Sequence, residues 1–147
     1  MTKSTLSLMT AALVVGLGVG VTRAADKDVN EEFNARVHAV NDAAKKKDMM
    51  PVALHAVSVE TGVPLPEVEA MHKRYSDIGP AGVLIACVMA DETKMKPEEF
   101  LHERNGGKGW TTMARDHKVP IEKLNARLEH LEKELNRGET REKKHKQ

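Results

Sequence analysis

Apolar residues recur along this chain at helical spacing and almost nowhere in alternation. In "NEEFNARVHAVNDAAKKK", Phe33, Val37, Val40 and Ala44 fall on one stripe, with acidic residues early and lysines late, as the helix dipole favours. In "IEKLNARLEHLEKEL", Ile121, Leu124, Leu128, Leu131 and Leu135 make an apolar seam with charges elsewhere. Aromatic residues are few and no β-branched residues alternate, so strand signals are nearly absent. The pattern predicts an all-α fold of about five to seven helices, the last a longer amphipathic one.

Between those two stripes one pattern occurs three times. "VSVETGVPLPEV" from Val57, "MADETKMKPEEF" from Met89 and "MARDHKVPIEKL" from Met113 align without a gap. Each has an apolar residue (Val57, Met89, Met113) and then a small one (Ser58, Ala90, Ala114). A turn position follows (Gly62, Lys94, Lys118), then an apolar hinge (Val63, Met95, Val119) and a further apolar anchor (Val68, Phe100, Leu124). This is the grammar of two helices joined by a tight turn, with Pro64, Pro97 and Pro120 suited to the first turn of the second helix. The turn residue must leave the right-handed region, which glycine does freely and a lysine does at about 1 kcal/mol. Three helix-turn-helix-like units, a preceding helix and the long last helix are the expected architecture.

The N-terminus reads as an export signal. Lys3 is the positive start, Ala11 to Val21 is the apolar run, and Thr22 and Ala24 are small residues at −3 and −1 of a cut after Ala24. The run is shorter than the ~20 residues that span a bilayer. The expected organisation is therefore a signal peptide at 1–24, a helical domain at 25–136 and a charged flexible tail at 137–147, in a periplasmic or secreted protein. The part after residue 24 carries 21 Lys and Arg against 22 Asp and Glu, while the last eleven residues hold five positive and two negative charges. A body of about −4 repels phosphate instead of condensing onto it. Cys87 is alone, which rules out an internal disulfide, and it lies in the apolar stretch "AGVLIACVMA", where a buried thiol is the expectation.

Residues 78 to 120, "IGPAGVLIACVMADETKMKPEEFLHERNGGKGWTTMARDHKVP", resemble a set of uncharacterised exported bacterial helical proteins with a GxGWxxIAxxxGV-like segment. Gly107, Gly109, Trp110 and Ala114 fit that segment, Met113 replaces its usual Ile, and Lys118 stands where it has Gly. The resemblance implies an exported helical module and carries no activity with it. Trp110, the only Trp, is expected as a core or staple residue against Met113 and Ala114.

Four function classes can be weighed on these residues. A DNA reader needs basic and amide side chains on the second helix of each unit, and instead Glu67, Glu98 with Glu99, and Glu122 occupy the first turns. A copper-binding protein could use Met and His. Yet the six Met and seven His after residue 24 show no His pair at i, i+4, and Met49–Met50 and Met71–His72 are adjacent residues that face apart. An enzyme needs a nucleophile with a base, paired carboxylates in a cleft or a metal, and no such motif occurs. The remaining class is an exported, non-enzymatic interaction or structural module. It carries no catalytic, cofactor-binding or metal-ligating residue and no cofactor, its partner is an unknown protein or envelope component, and its last helix offers a seam for self-association.

Overall fold

The computed structural model describes residues 22–145. Among them there are only helices: α1 (Thr22–Ala44), α2 (Met49–Thr61), α3 (Leu65–Arg74), α4 (Gly79–Thr93), α5 (Pro97–Asn105), α6 (Trp110–Asp116) and α7 (Ile121–His145), with one 3-10 turn at Ser76–Ile78. The expected leader falls outside the described residues except for its last three, which form the first turn of α1. No helix among the described residues is long and apolar enough to cross a membrane.

The fold is built around α4. Every residue from Gly79 to Ala90 is buried, and the helix is apolar all round, which only a helix enclosed by others can be. α1, α2, α3, α5 and α7 all pack on it. The two amphipathic stripes close the core from outside: Phe33, Val40 and Ala44 of α1 are fully buried, as are Leu128 and Leu135 of α7. These two long helices lie side by side and parallel. Arg36 donates to Glu132 at 3.1 Å, Asn125 to Glu32 at 3.3 Å, and Lys46 to Glu139 at 2.5 Å, so partner numbers rise together. α2 runs the other way beside α7, with Glu60 beside Arg127 and Met49 beside Gly138.

All three turn positions take up the left-handed conformation: Gly62 at φ 73°, Lys94 at φ 61° and Lys118 at φ 57°. The apolar anchors behind them, Val68, Phe100 and Leu124, are buried. The turns differ in what receives the hinge amide. In the first two, Thr61 and Thr93 each donate a hydroxyl to the carbonyl four residues back at 2.7 Å and accept the hinge N–H of Val63 or Met95 at 3.3 Å. The third has His117 at that place, and the Val119 N–H turns instead to the Ala114 carbonyl at 2.8 Å, the six-to-one bond of a helix C-cap. Packing differs too: α2 lies against α3 and α4 against α5, whereas α6 has seven residues and makes little contact with α7.

The stretch from residue 137 onward, expected as a tail, continues α7 to His145. Gly138 reads as a stop in sequence, but here it is a contact point. A Cβ at that position would lie 3.2 Å from Met49 Cε and 3.3 Å from Val52 Cγ1, so the missing side chain lets α2 lie close. Lys46 then ties down Glu139 and holds its carboxyl below the usual carboxylate range, chiefly through their hydrogen bond.

Candidate functional site

Most side chains weighed as chemistry are structural. Cys87 is buried, and burial, with help from the charges of Glu98 and Glu67, pushes its thiol up to about 12. A thiol held protonated and enclosed is inert. Met49, Met71, Met89 and Met113 belong to the core, away from the exposed His38, His55, His102 and His130. No group of three or more His, Cys, Asp or Glu able to hold a metal ion exists among the described residues. Glu99 accepts the backbone N–H of Lys96 at 3.2 Å, which satisfies one free amide at the start of α5; Glu98 is in the same first turn.

The "NGGKGW" segment is a clamp. Gly107, at φ 100°, lets the chain reverse, and Lys108 reaches back to Glu103 at 2.8 Å and forward to Asp116 at 3.1 Å. Those two partners, Glu103 first, hold the Lys108 ammonium above its ordinary range. Trp110 is buried against Gly82, where an added Cβ would stand 3.0 Å from its ring, and the Arg104 guanidinium lies 5.8 Å from the ring centroid. The indole is thus a staple between the clamp and α4, as its sequence context indicates.

The seam of α7 is committed inside the chain: Leu124, Leu128, Leu131 and Leu135 are all at most 1% exposed. Self-association through this helix would have to use its other faces.

What the structure assembles instead is a groove of about 450 Å³ between α2 and α7. Val52, Ala56 and Val59 of α2 face Leu131 and Gly138 of α7 across it. Val59 is 71% exposed and is the one large apolar side chain so exposed among the described residues. One wall is a fixed ion cluster. Arg127 donates to Glu60 Oε1 at 2.5 Å and to the Glu60 carbonyl at 3.2 Å, while His130 Nδ1 stands 2.7 Å from Glu60 Oε2. Glu134 is paired with Arg137 at 2.5 Å, and Arg141 lines the far end. The groove therefore has an apolar floor and a charged rim whose carboxylates, Glu60 and Glu134, already have cationic partners, with Arg141 at its far end.

Sequence reasoning passed over this place, although a signal existed. Val57 and Val59 are two apart, so they cannot share a helix face, and with Val57 fully buried Val59 must point outward. Neither a protein-family model, nor a curated protein, nor a solved structure matches this chain.

Proposed function

We propose that this chain is an exported, non-enzymatic helical protein that holds a partner, and that the α2–α7 groove is its binding face. The observation that carries the reading is Val59, 71% exposed above an apolar floor, while the other large apolar side chains among the described residues are buried or half-buried. The occupant that suits such a groove is a helical segment of another protein, its apolar stripe on Val52, Ala56 and Val59. An acidic end of that segment would lie over Arg141, by charge complementarity along the rim. The leader-like N-terminus and the resemblance of residues 78 to 120 support the exported part of the reading.

The test combines location with contact. The chain is expressed with its native N-terminus, its intact mass and compartment are determined, and a photo-crosslinking residue is placed at Val59 or, as a control on α3, at Glu69. Loss of residues 1–24, recovery outside the cytoplasm and a discrete adduct from position 59 alone support the proposal. An uncut cytoplasmic chain overturns the export reading, and equal or absent crosslinking at the two positions overturns the groove.

A further inference from the structure

The parallel course of α1 and α7 brings two basic stretches, far apart in sequence, to one end of the molecule. Lys45, Lys46 and Lys47 form the turn after α1 and are exposed, and the Lys46–Glu139 pair pins that turn to the last turns of α7. There Arg137, Arg141, Lys143 and Lys144 are exposed as well. Residues 45–47 and 137–145 together hold seven Lys and Arg against two Glu, a net of +5. Residues 22–145 as a whole carry 21 basic against 22 acidic residues, so everything outside this end amounts to −6. Charge is therefore segregated along the molecule, and the segregation exists only in the folded chain.

We propose that this basic end is a docking surface for the anionic phospholipid face of a bilayer. The last segment, "RGETREKKH", contains no apolar side chain, so nothing here would insert among acyl chains, and contact is with headgroup phosphates alone. The cations come from the end of one helix, a turn and the end of a second helix, an arrangement that meets a plane of phosphates. Nucleic-acid grooves are entered by a recognition helix, and here the helix first turns carry Glu67, Glu98, Glu99 and Glu122. The remaining −6 is repelled by the same surface, so the molecule stands with this end toward the lipid and the α2–α7 groove along its side. The inference does not depend on what occupies the groove or on whether the leader is cut.

The experiment is co-sedimentation of the full chain with phosphatidylcholine vesicles, with and without phosphatidylglycerol, across a salt series. Binding is expected only with phosphatidylglycerol and is expected to fall away at about 1 M salt, where the screening length is about 3 Å. Each cation near such a surface contributes about five-fold in affinity, so the Lys47→Gln, Lys143→Gln, Lys144→Gln variant, which leaves the groove untouched, should bind about a hundred-fold more weakly. Neutralising Lys27, Arg115 and Lys123 at the other end should leave binding unchanged. The proposal is overturned if the full chain ignores phosphatidylglycerol, if the two triple variants bind alike, or if duplex DNA competes the protein off the vesicles at equal phosphate concentration. A variant that melts earlier yet binds vesicles as before would also overturn it, because the cations would then serve only the helix end.

Discussion

The start of α4 and the end of α7 are both helix termini, and they handle the same problem in opposite ways. A helix end leaves backbone groups without intrahelical partners. At the start of α4 water has limited access, since Gly79 and all that follows through Ala90 are buried while Ile78 and Asn41 are half-buried. Asn41, from the last turn of α1, provides the partners: its Oδ1 accepts the Ala81 N–H at 3.0 Å and its Nδ2 donates to the Ile78 carbonyl at 3.1 Å. One amide serves as an N-cap supplied from another helix. At the end of α7 everything described beyond Glu139 is exposed, and solvent and lysines suffice. A buried end needs a specific residue at a specific place, and an exposed end needs only a composition.

Geometry sharpens the contrast. Gly79 has φ 74° and ψ 173°, a conformation nearly closed to other residues, and a Cβ there would stand 2.4 Å from Asn41 Oδ1. Gly79→Ala is therefore the change with the largest expected effect, roughly 3 kcal/mol or more of lost stability, read as a fall in the urea midpoint. Asn41→Ala should cost roughly 2 kcal/mol, because it removes the cap and orphans the Ile78 carbonyl. Asn41→Asp keeps the acceptor for Ala81 and loses the donor, and its stability should fall between that of Asn41→Ala and that of the unaltered chain; if it equals Asn41→Ala, the Ala81 bond contributes nothing.

Farther along the same helix, Cys87 reports how closed the core is. Its reaction with a thiol reagent at neutral pH should be slower than that of the urea-unfolded chain by about a hundred-fold or more. Comparable rates in the two states would mean that α4 opens readily, and the contrast between enclosed and open ends would fail. The smallest effect belongs to the other terminus. Ending the chain after Arg141 should move the thermal midpoint by no more than about 1 °C, because the removed side chains that are described, Lys143, Lys144 and His145, are exposed. A larger drop would assign the last turns a packing role.

The legible parts of this fold are those where one helix carries its own instructions. Phe33, Val37, Val40 and Ala44, and Leu124, Leu128, Leu131 and Leu135, announce buried faces by spacing alone and are buried, while Ile121 at the start of the second seam is only half-buried. The register of the repeated pattern placed Lys94 and Lys118 at turn positions, where a left-handed backbone would cost a lysine about 1 kcal/mol, and both have positive φ. What spacing cannot reveal is a role that depends on a second segment. Asn41 reads as one polar residue on a helix until Gly79 and Ala81 are brought against it. Gly138 reads as a stop until Met49 and Val52 fill the space beside it. The groove needs α2 and α7 side by side, and so does the recognition that Glu60 is locked between Arg127 and His130. Thr61 and Thr93 were visible as a repeated residue, but their use as substitutes for a backbone carbonyl emerges only from the bonds they make.

The pairing of α1 with α7 also has a consequence for how the chain is made. Arg36 and Glu132 are 96 positions apart, and the leucines that seal the core belong to the last helix. A nascent chain that lacks α7 leaves Phe33 and Val40 without cover and cannot complete its core. Completion of the core is thus deferred until α7 has been made, and long-range closure of this kind slows the final step. Until then the chain holds its apolar stripes without a finished core, and its exposure to misfolding is greatest.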